Sequence, residues 1–598
     1  MVGLRTPSAH TWLFSLAALA TAAPGTHAAT TFVDANLTTG ANDGSSWANA
    51  FRGRLGLQTA LGVAQAGDEV WVADGTYAPA AAGAPRTSTF LVPDGVAIYG
   101  GFAGGETSPA QRNIGASPSL LSGDLAMNGN SQNSDNAYHV VTALNLAGNS
   151  LLDGFTIQDG TARLVSADGQ FGGGMLVQGG TPVIRNCTFR NSDADRAGGG
   201  LALLATGALV DACSFQPNTS HSRGYYAYHG QGSTATFRAC TFTGAAPTTG
   251  GAAGVGVYSG SVGFGVDESL LTVEDCTFSI TTQQFSCPTG VGIYVATGQA
   301  DIARCSFVNN TTCGGGGGVS GEGVVRIDRC AFIGNEGQFD GGAAIHTFDG
   351  TFTVTNSLFA GNDRTGFSTF QSAGPTEIIN CTFYANGASN AFHSVILAQS
   401  PTLAMRNCIF WGNLANTGTQ NAVANAASQY VPRFDDCIVQ GWNGALPGAR
   451  SFTADPLFVS PLGADNTAGT ADDNLRLQST SPAIDHGNNT WTTTLLDFAG
   501  LARRQNAPGS PDLGVGTPPF VDIGPYEAPG STCDPTDFNN DGLFPDTADI
   551  DDFLSVFSGG PCSNDPNCHD IDFNNDGLFP DTLDIDSLLS VISGGACL

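Results

Sequence analysis

A short phrase built on cysteine and phenylalanine returns through the middle of this chain at near-regular intervals, and it restricts the fold more than any other feature. It reads Cys187-Thr-Phe189, Cys213-Ser-Phe215, Cys240-Thr-Phe242, Cys276-Thr-Phe278, Cys305-Ser-Phe307, Cys330-Ala-Phe332, Cys381-Thr-Phe383 and Cys408-Ile-Phe410, with Ser357-Leu-Phe359 in the one gap. Copies fall 24 to 36 residues apart, and in six of them an Asn stands three residues after the Phe, as in Phe332 to Asn335. Ahead of most copies come glycines and an apolar run, such as Gly172-Gly-Gly-Met-Leu-Val177. A repeat of this length is a unit that cannot bury its apolar face alone and must stack on its neighbours.

The segments are short, rich in Val, Ile, Phe and Thr, and separated by Gly, Asn and Asp, which is strand and turn chemistry. Within Cys187-Thr-Phe189 the first and third residues share a face, so Cys and Phe point inward and Thr outward. The parity of inward residues shifts between Ile184 and Cys187, which places a bend there. Three short strands per coil, stacked at about 4.8 Å, satisfy all of this. The predicted fold is all-β, a right-handed single-stranded parallel β-helix. A β-propeller is the main rival, but no four-strand blade pattern is present. Glu69-Val-Trp-Val-Ala73, Val96-Ala-Ile-Tyr99 and Leu151 to Ile157 read as earlier coils.

At this level residues 30 to 450 resemble pectate-lyase-like β-helix proteins, and Gly-Gly-Ala with Phe-x-x-Asn is similar to the repeats of polymorphic outer-membrane adhesins. Residues 451–530 carry Ala454-Asp-Pro-Leu-Phe458, Asn474 to Asp485 and Asp522-Ile-Gly-Pro-Tyr-Glu527. This resembles the closing segment of secreted β-helix proteins with a choice of anchor, and Asp43-Gly-Ser-Ser-Trp47 with Gly67 to Tyr77 is similar to their opening. The expected organisation is a signal peptide over 1–28, a β-helix over 29–450, a capping segment over 451–530 and a separate module over 531–598.

That last module repeats itself with a period of 35 residues. Asp537, Asn539 and Asp541, and again Asp572, Asn574 and Asp576, occupy positions one, three and five of a loop, followed by Gly542 or Gly577. Calcium loops begin this way, because a hard cation gathers six to eight oxygens and the glycine permits the sharp turn. Position twelve, usually a carboxylate, is Ala548 or Leu583; Asp549 and Asp584 come one residue later, and Asp546 and Asp581 are alternatives. Each loop leads into an apolar run at helical spacing and a Gly-Gly stop. The arrangement resembles the dockerin family, in the variant whose repeats end in Gly-Gly-x-Cys. That resemblance implies a small α-helical module folded by two calcium ions, with the carbonyls of Leu543 and Leu578 completing the ligand sets. It also implies a partner that is a cohesin-like receptor or a cell-envelope component. Of three pairings open to four cysteines, Cys533 with Cys562 and Cys568 with Cys597 treats both repeats alike.

The chain holds 52 acidic and 21 basic residues, every basic one an Arg, for a net charge of −31. Without a basic stripe it is a poor match for nucleic acid or anionic membranes, leaving cations, glycans and proteins as partners. Arg5, the apolar run from Trp12 to Ala23 and the small residues to Ala29 read as a cleaved secretory signal, too short to span a bilayer. The expected location is therefore extracellular or at the cell surface, with no transmembrane helix after cleavage. Export permits disulfides. The repeated cysteines nonetheless read as buried ladder residues, because stacked in-register strands set their Cβ vectors side by side. Cys287 and Cys313 break the phase and are candidates for a bridge between coils.

The Asn of Phe-x-x-Asn reads as a turn residue bonded to its stacked neighbour. The glycine clusters at 172–174 and 314–318 precede no Lys and no helix, so they are not phosphate loops. The catalytic phrases of polygalacturonases (Asn-Thr-Asp, Gly-His-Gly, Arg-Ile-Lys) and of pectate lyases (Arg-x-Pro-x-x-Arg) are absent. The densest acid–base concentration is Glu322, Arg326, Asp328, Arg329, Asp340, His346 and Asp349, over about two coils. Tyr225, Tyr226, Tyr228 and Trp411 are candidate sugar-stacking aromatics. The functional expectation is a non-catalytic surface β-helix for adhesion or polysaccharide binding, tethered by a calcium-dependent tail; the alternative is a polysaccharide lyase or glycoside hydrolase.

Overall fold

The computed structural model describes residues 28–129, 134–163, 170–245, 254–261, 267–282, 289–312, 314–337, 341–362, 368–388, 395–415, 429–507, 510–528, 536–539, 547–564, 571, 573 and 582–592. Three long sheets of 15, 13 and 11 strands, here the first, second and third, run along a solenoid whose strands extend from Thr30–Asp34 to Ile438–Val439. One coil gives Met175–Gly180 to the third sheet, Val183–Arg185 to the first and Thr188–Arg190 to the second, and the next coil restarts at Leu201–Leu204. Neighbouring coils pair in parallel and in register: Ile184 faces Val210, Phe189 faces Phe215 and Leu201 faces Ala227. This is the parallel β-helix expected from the repeat.

The bend between the first and second sheets is made by one residue, the one immediately before each ladder Cys or its Ser357 substitute. Asn186, Ala212, Ala239, Asp275, Arg304, Arg329, Asn356, Asn380, Asn407 and Asp436 all sit there at φ between +46° and +55°. A single left-handed residue redirects the chain without consuming length, and it accounts for the parity shift between Ile184 and Cys187. For residues other than Gly, Asn or Asp this conformation costs roughly 1–2 kcal/mol. Ala212, Ala239, Arg304 and Arg329 therefore carry strain that the stacked coils hold in place.

Inside, like stacks on like. Phe189, Phe215, Phe242, Phe278, Phe307, Phe332, Phe359, Phe383 and Phe410 form eight consecutive ring pairs, 4.4–5.0 Å apart with planes within 9° of parallel. Beside them run nine free, buried cysteines, in agreement with the ladder reading. Their amides donate along the stack, Cys187 N to Cys213 Sγ at 3.4 Å and Cys240 N to Cys276 Sγ at 3.3 Å. Ser357 keeps both bonds, accepting from Cys330 N and donating from its own amide to Cys381 Sγ. Burial pushes the Cys213, Cys305 and Cys381 thiols up, while hydrogen bonds from neighbouring thiols draw Cys276 and Cys408 down; all nine are at most 1 % exposed, so the ladder is an apolar stack out of reach of solvent.

The Phe-x-x-Asn asparagines form a second ladder. Asn310, Asn335, Asn362, Asn386 and Asn413 are at most 3 % exposed. Asn335 Nδ2 donates to Phe307 O (2.9 Å) and to Asn362 Oδ1 (2.8 Å), while Asn362 Oδ1 also accepts from Asn335 N (3.0 Å). The same bonds repeat from Asn362 to Asn386 and from Asn386 to Asn413. Each amide thus supplies the donors and acceptors that the turn backbone lacks, as the sequence reading expected.

Both ends of the core are covered. Helix α1 (Gly56–Leu61) inserts Leu57, Ala60 and Leu61 into the core at the first end. At the other, Phe434 N donates to Pro447 O, Asp436 N to Ala449 O and Val439 N to Phe452 O, so residues 447–452 close the last coil. Two changes probe these ladders from opposite directions. Asn362→Ala strands buried donors and acceptors on both sides, and should cost about 2–4 kcal/mol in chemical denaturation. Ala239→Asn relieves a left-handed alanine at an exposed turn, and should raise stability by about 0.5–1 kcal/mol.

Candidate functional site

The acid–base concentration expected from the sequence lies on different faces. Arg326 and Asp328 belong to Val324–Asp328 of the first sheet, with Arg329 in the turn that follows. His346 belongs to Gly342–Thr347 of the third sheet. Arg326 Nη1 donates to Asp301 of the preceding coil (3.1 Å), and Arg329 Nε donates to Asp328 (2.9 Å). Both cations are engaged in structural pairs. Glu322 accepts from the Tyr294 hydroxyl (3.1 Å) on the outside of the third sheet, His346 packs on Phe348 with ring centroids 4.2 Å apart, and Asp349 is exposed in the next turn. Asp340 lies outside the described residues. A linear cluster thus becomes two separated groups, because each coil sends successive residues around its circumference.

A different set does converge. Between the second and third sheets, Thr161–Ala162, Asp193–Ala194 and Thr219–Ser220 form a small parallel sheet over three coils. Arg163, Asp195 and His221 follow one residue after these strands, beside Asp193. Arg163 Nε donates to Asp193 Oδ2 (2.9 Å), and its Nη2 lies 3.0 Å from His221 Nε2. Guanidinium only donates, so Nε2 is the acceptor and the imidazole proton sits on Nδ1. His221 Nδ1 is 3.9 Å from Asp195 Oδ1, and its Nε2 is 3.8 Å from Asp193 Oδ1, which also accepts from Thr219 Oγ1 (2.7 Å). The side chains of His221 and Asp195 are 48 % and 37 % exposed. Solvent therefore reaches an imidazole flanked by two carboxylates, a set able to take and return a proton.

The candidate sugar-stacking tyrosines are buried. Tyr225 and Tyr226 belong to the main core. Tyr228 points outward on the third sheet but is covered in a stack with Phe171 and Tyr258. Trp411 alone of the four is half-buried at an accessible edge.

The closing segment does more than end the solenoid. After residue 452 it turns back over the outer face of the second sheet, where Phe458, Leu475, Ala483 and Ile523 pack against Leu358, Tyr384, Ile409 and Ile438. It is pinned along the row of left-handed turn residues. Asn356 Nδ2 donates to Thr494 Oγ1 (2.9 Å), Asn380 Oδ1 accepts from Thr492 Oγ1 (2.9 Å), and Asn407 exchanges two bonds with the Asn488 backbone. Asp436 accepts from Asn488 Nδ2 and Trp491 Nε1. Its own interior holds Asp485, Asp497, Asp522 and Glu527, all at most 2 % exposed, around the fully buried Arg503. Arg503 Nη1 pairs with Glu527 at 3.0 Å. Burial raises Asp522 to about 7 and Asp485 to about 6.

In the tail, α2 (Thr547–Phe557) and α3 (Thr582–Ile592) occupy equivalent places in the repeat. Phe538, Phe553, Ile571, Phe573 and Leu588 form a core of their own. Asp549 and Asp584, each one residue past position twelve, are fully buried in the first turn of their helices. Asn539 N donates to Asp549 Oδ1 (3.3 Å) and Asn539 Nδ2 to Asp552 Oδ2 (3.1 Å). Asp537 and Asn539 are described; Asp541, Leu543, Asp546, Asp572, Asn574, Asp576, Leu578 and Asp581 lie outside the described residues. Among the described residues no group of three His, Cys, Asp or Glu is placed to hold a metal. Of the bridge candidates only Cys562 is described, and it is not among the free cysteines; Cys533, Cys568, Cys597, Cys287 and Cys313 lie outside the described residues, as does the expected signal segment up to residue 27. No helix among the described residues is long and apolar enough to cross a membrane.

Comparison with known proteins bears on the solenoid. The family described as "Right handed beta helix region" matches at residues 130–312 and 264–431, together just over half of the chain. The chain belongs to this right-handed β-helix family. A second family, described as a protein of unknown function (DUF1565), matches residues 39–210. No curated protein matches. Among solved structures, the crystal structure of pectate lyase Pel9A is similar at 16% identity over 84% of this chain and 96% of that one, with a TM-score of 0.35.

On this right-handed β-helix the converging set was missed because Arg163, Asp195 and His221 are 58 residues apart end to end. A signal was present: each stands three residues after the position that Gly160, Ser192 and Asn218 share in the turn. Aligning coils by that turn would have stacked an Arg, an Asp and a His. The buried acids of the closing segment lead to a pH dependence. A carboxyl whose folded pKa is raised binds its proton more tightly when folded, so its contribution is complete below the ordinary value near 4 and is lost as pH rises through the raised value. Hydrogen exchange across residues 474–528 should therefore show protection falling between about pH 4 and pH 7, the interval set by Asp522.

Proposed function

We propose that the protein acts outside the cell as a non-catalytic right-handed β-helix that offers its outer faces to polysaccharide or to a surface. In this reading it is held in place by a dockerin-like C-terminal module whose partner is a cohesin-like receptor or a cell-envelope component. The observation that carries the proposal is the pair of fully buried aspartates, Asp549 and Asp584, at the same point of two 35-residue repeats. A carboxylate is removed from water at this cost only where hydrogen bonds or a cation compensate it, and an all-oxygen donor set suits calcium. Asp537, Asn539, Asp541, Asp546 and Asp549 with the Leu543 carbonyl would hold one ion, and Asp572, Asn574, Asp576, Asp581 and Asp584 with the Leu578 carbonyl the other. Bound calcium would supply the charge that lets these acid-rich loops fold onto the small Phe538–Phe553–Phe573 core. The Cys533–Cys562 and Cys568–Cys597 bridges belong to the same proposal.

A second reading rests on Arg163, Asp193, Asp195 and His221, a described set that brings a His together with two acids and an Arg across coils at the surface. In that reading the protein is a polysaccharide lyase or glycoside hydrolase, with His221 as the proton-transferring group and Asp193 and Asp195 setting its charge.

Two measurements separate these readings. Chelator, or Asp537→Ala with Asp541→Ala, should abolish the helical signal of the tail and leave the β-signal of the solenoid, because ion binding here is folding energy; an unchanged tail would refute the calcium proposal. Incubation with a panel of polyuronides and neutral polysaccharides should give binding without new reducing ends or unsaturated products. Turnover that disappears in His221→Ala would establish the second reading instead.

A further inference from the structure

The closing segment does not lie flush on the second sheet. Where it crosses the last coils it leaves a groove of about 210 Å³, lined by Tyr384, Trp411, Asp455, Leu457, Phe458 and Gln478 among others. Tyr384 and Trp411 are register partners on adjacent coils; Tyr384 is buried under the closing segment at 6 % exposure, and the half-buried Trp411 supplies the ring that solvent reaches. In the same outward row Ala360 stands opposite Tyr384, and the aromatic pair appears only where the closing segment overhangs it. Phe458 meets Tyr384 edge-on at 5.6 Å and forms one wall.

The opposite lip is polar and held under strain. Leu457 has φ +51°, a conformation that costs a leucine roughly 1–2 kcal/mol. It is enforced from both sides: Leu457 N donates to Asp455 Oδ1 (2.9 Å), and Leu457 O accepts from Gln478 N (2.9 Å). Gln478 Nε2 donates to Phe458 O (2.8 Å), fixing that wall as well. The second Asp455 oxygen, the Trp411 indole N–H and the Tyr384 hydroxyl make no hydrogen bond among the described residues. Strain maintained beside a cavity with unspent donors and acceptors is a mark of a binding site.

We propose that this groove binds one ring of a neutral saccharide, a proposal that rests on the polysaccharide-binding reading above and gives it a place. The accessible Trp411 face can take the C–H face of a pyranose, while the Asp455 carboxylate and the indole N–H accept from and donate to its hydroxyls. The choice of a neutral sugar follows from charge. No Arg or His lines the groove, so nothing there pairs with a uronate carboxylate, and Asp455 repels one. The site is remote in sequence and in row from the Arg163–His221 set and uses no residue of it.

The test uses the full-length mature protein with calcium present. Neutral oligosaccharides (cello-, xylo-, manno- and laminari-oligomers) and oligogalacturonate are titrated by calorimetry against the native chain, Trp411→Ala, Trp411→Phe and Asp455→Asn. At least one neutral series should bind. Trp411→Ala should weaken it about tenfold or more, Trp411→Phe should retain most of it, and oligogalacturonate should bind more weakly than the neutral series. Bound saccharide should also protect Trp411 of the native protein from oxidative footprinting, a readout that needs no variant to fold. Neutral binding untouched by Trp411→Ala and without footprint protection would overturn the groove while leaving polysaccharide binding in place. Tighter binding of oligogalacturonate at this groove would overturn the neutral assignment. Absence of binding to any saccharide would overturn both readings.

Discussion

Everything in the solenoid depends on one backbone event per coil, the left-handed residue that ends each first-sheet strand. It sets the angle between two sheets, puts Cys and Phe inside together, and fixes where the next strand begins. Because coils stack in parallel register at about 4.8 Å, whatever the turn places at one position meets its counterpart from the next coil. Like residues then interact with like: phenylalanines as parallel rings, thiols as a chain of weak acceptors, asparagines as a hydrogen-bonded ladder. A polar residue can be buried in such a stack because its neighbours above and below supply what it needs. Asn362 at 0 % exposure is stable for that reason, and an isolated asparagine in the same core would not be.

The same turn row serves a second purpose at the far end. In earlier coils the left-handed position holds a mixture, Asn186, Ala212, Ala239, Asp275, Arg304 and Arg329, whose side chains, where they bond, pair within the solenoid, as Asn186 does with Asp153 and Arg304 with Asp275. Over the last coils it becomes Asn356, Asn380, Asn407 and Asp436, and every one of these side chains bonds to the closing segment. This unbroken run of Asn and Asp keeps the turn strain low and provides a line of hooks. The closing segment in turn covers an apolar strip, Leu358, Ile409 and Ile438, that the repeat alone would leave exposed. Clamp and strip depend on each other.

The sequence reveals the periodic part of this molecule well and the aperiodic part poorly, for a physical reason. A repeat states its geometry many times, so the inward Cys and Phe, the bend before each Cys and the ladder Asn could all be read from spacing. Surface sites are single events whose members come from different coils. Glu322, Arg326 and His346 are close in sequence and point from different sheets, whereas Arg163 and His221 are distant in sequence and touch. Burial of Tyr225, Tyr226 and Tyr228 was hidden likewise: Tyr225 and Tyr226 fall on the inward side of a glycine-led turn, and Tyr228 is covered by a second aromatic stack outside the sheet. The paired helices of the tail were legible because they, too, come twice.

Function on such a scaffold is to be sought where a row departs from its own pattern. Along the inner rows departures are conservative, as when Ser357 keeps both hydrogen bonds of a cysteine. Along the outer rows they are not: Asp193 stands between Thr161 and Thr219 in its row, and Ala360 gives way to Tyr384 and Trp411. An inner change alters the stacking of every coil around it and is constrained by that; an outer change alters one coil's surface and leaves the register intact. The solenoid can therefore carry a charged cluster at one height and a groove at another without either disturbing the core.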